Sequence, residues 1–527
     1  MGARATTGGA LIPKVRRLSG RALRRLSRAV DPTLGVGGPG PAHLAGHLAP
    51  ALEVLYRSPL LEDHAAAAAA YQRAQERFLG RAKALPDPDV TIEVDPALPP
   101  LAWRCVVGPD GHRFTVGSQV QRGEDLVYEG VWDGAFAEGG IDLTDRAYGS
   151  GARVRDGVVV FVPPKHCWEH LYVLVDRPAG RTIVSNSLLF ALASGGVGVA
   201  HPFFAKVAAV IRAGTDVATA AGIDRHDPVV VADRDRRLLR MLFTNFSVTP
   251  DGRFRLHPTP PQAPYGIFDE YRSHLRAVVE RLGANAMAPG RSHPLRPLTP
   301  ISNGYDSPAV ATIAASCGFL DAITIHTEVK GHLDSGAEVG AMLGMDVERV
   351  SHVLGERLSR LGRRFDGELR EVVAEFVATA GLGDDVVLKS FEDHLPGRML
   401  LTGHLGDAAW KRPHRLPPGL PIRIPYGKSS TEFRLRVGFA TVPVPAIDAR
   451  FAWPLRQITY AEEMAPYTLK APYDRPIARR MVEEAGVPRG SFAVAKRAMQ
   501  PTVVNQEELF RPSVESVIRR YRSASPA

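Results

Sequence analysis

An α/β domain built on a parallel sheet, preceded by a β-rich domain, is the fold class this sequence predicts, and three observations predict it. From about residue 90 to residue 242, short runs rich in Val, Ile, Leu and aromatic residues are bounded by Gly, Pro and Asp, which is the texture of strands and turns. From residue 267 onwards, helical and strand-like runs alternate at the spacing of βαβ units, whose strands pair in parallel. Between the first strand and the first helix of that series, Pro300-Ile301-Ser302-Asn303-Gly304-Tyr305-Asp306-Ser307 packs small polar residues into a turn.

A chain of 527 residues exceeds one ordinary hydrophobic core, so two or three domains are expected. Composition divides it into residues 1–50, a basic arm with a Gly/Pro-rich linker; 51–242, a helical lead-in and the β-rich domain; and 243–520, the α/β domain. The formal charge of +9 is concentrated in the arm, where residues 1–30 carry one Lys, seven Arg and no acid. Within it, Leu18, Leu23 and Leu26 lie among arginines, a pattern open to two readings: a basic amphipathic helix for an acidic partner, RNA or anionic lipid, or a solvated terminus. No run of apolar residues is long enough to cross a membrane. The three cysteines, Cys105, Cys167 and Cys317, have no metal-ligand spacing and fit reduced thiols in a cytoplasmic protein.

Taken in order, residues 31–50 read as linker, and 52–85, with the alanine run 65–70, as helix. Strands are expected at 104–107, 157–162, 171–175 and 181–184. A long helix follows at 267–284, then a strand at 298–302, a helix at 307–317, a strand at 322–326, a helix at 335–343 and a strand at 398–402. Ligands of open parallel sheets sit beyond the carboxyl ends of the strands, where Ser302, Thr327 and Gly403 fall. His166-Cys167-Trp168-Glu169-His170 lacks the spacing of a zinc helix and lies in the β-rich region.

The turn at 302–307 has the design of a phosphate cradle. Backbone N–H groups at a helix N-terminus bind anions, serine hydroxyls add donors, and Asp306 can hold Mg²⁺ against a pyrophosphate. No lysine follows the glycine, so the G-x-x-x-x-G-K-[ST] loop is excluded. The turn resembles the S-G-G-x-D-S loop of the PP-loop ATP pyrophosphatases, with Asn303 at the middle glycine; Asn tolerates left-handed backbone and so preserves such a turn.

Further segments extend the resemblance. Asp334 to Gly344 and Leu401-Thr402-Gly403-His404-Leu405-Gly406-Asp407 follow in the order seen in the synthetase domain of asparagine synthetases and β-lactam synthetases. There the last segment is S-G-x-G-x-D, and the resemblance implies that Gly403 lies under the nucleotide and Asp407 binds Mg²⁺ with Asp306. Thr431-Glu432-Phe433-Arg434 resembles the family's E-x-R helix, and the region from Asp474 to Lys496 its C-terminal segment, whose lysine meets the phosphates. His404 stands where relatives carry Glu or a Tyr that acts as a base with a downstream Glu. A histidine there can take a proton from an attacking amine, or simply line the pocket. Residues 174–192 are similar to the end of the family's N-terminal glutaminase (Ntn) sandwich. Gly2 occupies the position of the nucleophilic cysteine, which implies a degenerate sandwich without glutaminase activity. The position after Asp407, acidic in the family, is Ala408.

The function this implies is an ATP-dependent, amide-forming ligase. A small-molecule or peptide carboxylate is activated as an acyl-adenylate, releasing pyrophosphate, and an amine or ammonia, if need be from a separate amidotransferase, displaces AMP. ATP and Mg²⁺ are the expected cofactors. Ser302, Asn303, Gly304, Asp306, Ser307, Thr327 and Gly403 are the expected ATP site, Asp306 and Asp407 the metal ligands, and His404, Glu432 and Lys496 the catalytic groups. Two other readings remain: a catalytically inactive nucleotide-binding scaffold, favoured by Asn303 and Ala408, and a PP-loop enzyme acting on tRNA through the basic arm.

Overall fold

The computed structural model describes residues 89–522 apart from 167, 209–228, 242, 258, 260–264, 330–331, 352–366, 380–383, 413–429, 449–451, 470 and 495–505. The basic arm, the linker, the helix expected at 52–85, Cys167 and Lys496 lie outside the described residues.

The β-rich part is a two-sheet sandwich. Its strands are Val90–Val94 (β1), Trp103–Gly108 (β2), Gly111–Val116 (β3), Gln121–Arg122 (β4), Leu126–Trp132 (β5), Ala147–Arg155 (β6) and Val158–Val162 (β7). Leu171–Asp176 (β8) and Arg181–Ser185 (β9) lead into the helix Leu188–Ser194 (α1). Val229–Ala232 (β10), Arg236–Met241 (β11), Asn245–Val248 (β12) and Phe254–His257 (β13) complete the set. One sheet runs β1-β3-β2-β9-β8-β11-β10 and the other β13-β12-β7-β6-β5-β4. Alternating residues of the two sheets, among them Trp103, Cys105 and Phe114 from one and Val127, Phe161 and Phe246 from the other, close the core between them. The boundary expected at residue 242 therefore moves to His257, because β12 pairs with β7 and belongs to the sandwich. The run Asn245-Phe246-Ser247-Val248 is short, and its strand character comes from burial between neighbours.

Phe268–Ala286 (α2) opens the second part. Phe268, Tyr271, Leu275, Val278, Leu282 and Ala286 recur at three- and four-residue steps and are buried, while Asp269 and Glu270 favour the positive N-terminal end. There follow Arg296–Pro300 (β14), Asp306–Ser316 (α3), Asp321–Ile325 (β15), a hairpin of Thr327–Val329 (β16) and His332–Asp334 (β17), Ala337–Met342 (α4) and Asp346–Val350 (β18). Beyond these lie Gly367–Val377 (α5), Arg398–Thr402 (β19), Gly406–Ala409 (α6), Thr431–Val437 (α7), Ala440–Pro443 (β20), Ala452–Tyr460 (α8), Pro476–Glu484 (α9) and Gln506–Arg522 (α10).

Five strands form an all-parallel sheet in the order β18-β15-β14-β19-β20. The chain thus begins at the centre, runs outward to one side through β15 and β18, and returns to continue on the other through β19 and β20. Both faces are covered: Ala322, Met399 and Leu401 pack with α2 and α3, whereas Leu298, Ile323 and Leu400 pack with α5 and α7. Burial on both faces is why Met399-Leu400-Leu401 reads as a continuous apolar run. Among the described residues no helix is long and apolar enough to cross a membrane.

The two parts are joined through buried charge. Arg434 of α7 donates to Glu129 Oε2 at 2.6 Å and Oε1 at 3.1 Å and also to Glu169, both from the sandwich. Glu129 Oε1 additionally accepts from Ser150 N–H at 3.1 Å and Ser150 Oγ–H at 3.0 Å. Burial drives the Glu129 carboxyl upward, opposed by Arg434, and the two carboxylates hold Arg434 above its ordinary value against its own desolvation. The carboxyl-terminal α10 returns to the sandwich, stacking Tyr521 on Phe190 of α1 at 4.8 Å.

Candidate active site

The strand order places a switch point between β14 and β19, from which the chain departs in opposite directions. The crevice beyond the carboxyl ends of such strands is where open α/β sheets bind ligands. The loop after β14 is Ile301 to Tyr305 and leads into α3; the loop after β19 is Gly403 to Leu405 and leads into α6.

The first loop is closed on itself. Ser302 N–H donates to Ser307 Oγ at 2.9 Å, and the hydroxyls of Ser302 and Ser307 lie 2.8 Å apart. Ala493 N–H donates to the Asn303 carbonyl at 2.8 Å, tying the loop to the segment after α9. Pro308 in the first turn of α3 removes a backbone donor that the helix does not need there. Neither Asn303 nor Gly304 has positive φ, so the turn does not use the left-handed backbone for which Asn303 is suited. A methyl group at Gly304 would meet Ser302 Oγ at 3.6 Å and Tyr473 Oη at 3.7 Å, ordinary contacts.

The glycines that matter sterically are others. A Cβ on Gly403 would stand 2.7 Å from the Asp306 carbonyl carbon and from Ser307 N, and one on Gly406 would overlap the Asp306 carboxyl group. A Cβ on Gly336, just before α4, would stand 2.6 Å from the Ile301 carbonyl carbon. Two segments, the loop after β19 and the turn before α4, thus approach the stretch from Ile301 to Ser307 closely enough to exclude a single carbon. Leu405, with φ of 73°, makes the left-handed turn that carries β19 into α6 and sets Asp407 exposed in its first turn.

Asp306 is the centre of this arrangement. Its Oδ2 accepts from Arg475 at the start of α9, and its Oδ1 is buried with no hydrogen-bond partner among the described residues. Burial lowers the Arg475 guanidinium to about 10, which leaves it charged at neutral pH. Arg475 rests against the rings of Tyr305 and Tyr473, at 6.0 and 5.4 Å, and Arg479, one turn on, donates to the Tyr305 hydroxyl. Among the described residues no three His, Cys, Asp or Glu side chains form a metal cage. Mg²⁺ in nucleotide sites is held by one or two carboxylates plus phosphate oxygens, and Asp306 with Asp407 suits that smaller set.

No protein-family model matches the chain. No curated protein matches it either.

His404 follows Gly403 at the edge of the crevice, partly exposed. Its Nδ1 lies 3.0 Å from Thr402 Oγ1, its Nε2 3.9 Å from Asp385 Oδ1, and its ring meets Trp168 of the sandwich edge-on at 4.2 Å. The carboxylate beside His404 is therefore Asp385. Glu432, expected behind His404, is placed elsewhere: it is buried, accepting from Ser187 Oγ–H at 2.7 Å and from the Tyr521 hydroxyl at 2.5 Å. Burial pushes its carboxyl up while those two donors pull it down. Thr327 begins β16, two residues beyond the end of β15, on the far side of β14 from Gly403.

The structure thus brings together Ser302, Asn303, Gly304, Asp306, Ser307 and Gly403, with His404 and Asp407 on the same short segment as Gly403. Sequence reasoning picked out the segments that hold Gly336 and Arg475 without giving either residue a role, and it did not connect Asp385 or Trp168 with His404. The Asp-Arg-Pro sequence at 474–476 carried a signal for Arg475, since proline in a first helical turn sets the preceding residue at a helix start.

Proposed function

We infer that the chain is an ATP-dependent, amide-forming ligase of asparagine synthetase type, built on a PP-loop domain and a degenerate Ntn-type sandwich. The observation that carries this reading is the contact of Gly403 and Gly406 with Asp306 at the switch point of the parallel sheet, since it gathers the two loops whose residues resemble the family's nucleotide loops. The sandwich, whose outer faces are packed by helices, is compatible with the N-terminal half of that family.

In this reading the ATP phosphates lie at the start of α3, where N–H groups and the Ser302 and Ser307 hydroxyls meet the pyrophosphate. Asp306 and Asp407 would hold Mg²⁺, which would supply charge neutralisation on the leaving group. A substrate carboxylate oxygen forms a bond to the α-phosphorus and pyrophosphate leaves. An amine nitrogen then bonds to the acyl carbon and AMP leaves. The proton lost by the amine passes to His404, whose ring Thr402 and Trp168 orient and beside which the Asp385 carboxyl lies. Glu432 has no proton-transfer role in this scheme; it fixes α7 against α1 and α10.

Exchange of labelled pyrophosphate into ATP, measured with a panel of small carboxylates and peptides, tests the reading. Carboxylate-dependent exchange supports it. ATP binding with no exchange for any acid would favour the inactive scaffold, whose specific support is Ala408, packed against the core where the family has an acid.

A further inference from the structure

Asp306 and Arg475 stand 169 residues apart in sequence and meet in the crevice. The pair is asymmetric. Arg475 is a buried cation, 6% exposed, with Tyr305 and Tyr473 against its guanidinium. Its partner spends one carboxylate oxygen on it and keeps the other, Oδ1, buried without a hydrogen-bond partner among the described residues. A buried carboxylate oxygen left so is energetically costly, and a protein tolerates it most readily where a ligand satisfies it. The start of α9 is set independently of Asp306: Arg479 N–H donates to the Arg475 carbonyl at 3.0 Å, and Arg412 N–H donates to the Asp474 carbonyl at 2.9 Å. The guanidinium therefore sits on a fixed helix start beside the cradle formed by Ser302 and Ser307. Leaving Asp306 requires only that its side chain turn, because the stem and rings already support it.

We propose that Arg475 is an exchangeable counter-ion of the crevice: without nucleotide it neutralises Asp306, and when a metal–polyphosphate enters it yields the carboxylate to the metal and takes a phosphate oxygen instead. This rests on the nucleotide-site reading above. The exchange conserves charge pairing throughout: Asp306 passes from guanidinium to divalent cation, and Arg475 from carboxylate to phosphate, whose oxygens its planar fork also fits. Two consequences follow. A divalent cation alone binds poorly, because it must displace Arg475 from Asp306 with nothing to receive the arginine. Metal and polyphosphate therefore bind with positive coupling, each favouring the other's site.

Mn²⁺ binding followed by electron paramagnetic resonance on the full chain, without and with α,β-methylene-ATP, tests this. In the wild-type protein Mn²⁺ alone should bind weakly and the analogue should strengthen it. In Arg475→Met, which keeps stem length and removes charge, Mn²⁺ alone should bind at least about tenfold more tightly, while affinity for the analogue falls by about tenfold or more and affinity for AMP changes little. Arg475→Lys, which keeps the charge, should be intermediate on both scales and serves if the methionine variant does not fold. Equal or weaker Mn²⁺ binding in both variants would overturn the exchange, as would an equal loss of AMP and analogue affinity. A wild-type chain that binds neither nucleotide would instead contradict the nucleotide-site reading, while the Mn²⁺-only comparison still decides whether Arg475 masks Asp306.

Discussion

Adding one carbon at Gly403 is the sharpest perturbation of the site. In Gly403→Ala the new Cβ would stand 2.7 Å from two backbone atoms, the Asp306 carbonyl carbon and Ser307 N, rather than from a flexible side chain that can swing away. Ordinary carbon contacts begin near 3.5 Å, so the start of α3 and the β19 loop must separate by about 1 Å. Overpacking of this kind costs roughly 1–3 kcal/mol of stability, whereas a displacement of about 1 Å in a reacting geometry costs about 10²-fold in rate. The expected result is a folded protein, slightly less stable, with pyrophosphate exchange reduced by about 10²-fold or more. Gly108→Ala, at the end of β2 and outside the crevice, is the internal control: its Cβ meets nothing within 4 Å and φ is not positive, so exchange should fall less than about threefold, within the range of a neutral surface change. Circular dichroism melts and the exchange assay on both variants suffice. Equal activity of Gly403→Ala and wild type, or a larger loss in Gly108→Ala, would refute the view that the approach of the two loops makes the site.

Three further outcomes are expected. His404→Ala should spare pyrophosphate exchange and slow amide formation by about 10² to 10⁴, and loss of both steps together would make His404 a support for the Gly403 turn. Glu432→Ala strands the Ser187 and Tyr521 hydroxyls and should lower stability by on the order of 2 kcal/mol, read by urea unfolding, with exchange intact below the transition; unchanged stability with lost amide formation would restore Glu432 to catalysis. His166 accepts the Trp168 N–H on Nδ1 at 3.3 Å, stacks on Tyr148, and is pulled by burial to about 3. Because an unfolded histidine titrates near 6.5, its contribution is complete above about pH 6.5 and is lost as pH falls toward 3, about 2 kcal/mol by pH 5; His166→Phe should flatten the stability–pH curve there, and parallel curves would contradict this.

What could be read from the sequence follows the physics of each element. The residues of β19 and α3 are buried on all sides or at a strand–turn–helix junction, so their local sequence carries their structure, and Arg398–Thr402 is the strand expected. The strand Asp346–Val350 escaped because it is an edge strand whose charged residues Asp346, Glu348 and Arg349 face solvent without a period of two, and Ala440–Pro443 because proline at its end hides a strand that packing creates. The helix around Glu432 was legible, but its partners were not, since Ser187 is 245 residues away and no local pattern encodes that meeting. Arg475 escaped for the same reason. The loop from Ser302 to Ser307 was legible as a loop, yet its steric demands fall on Gly336, Gly403 and Gly406, which only the packed structure reveals.

If Asp306 serves a nucleotide whose α-phosphorus is attacked, the reaction products reveal it. With wild-type protein, ATP, Mg²⁺, an accepted carboxylate and an amine, chromatography of the reaction should show AMP and pyrophosphate in equal amounts, and Asp306→Ala should abolish both while leaving the circular dichroism spectrum unchanged. ADP and phosphate from the wild-type protein, or undiminished AMP from Asp306→Ala, would contradict it.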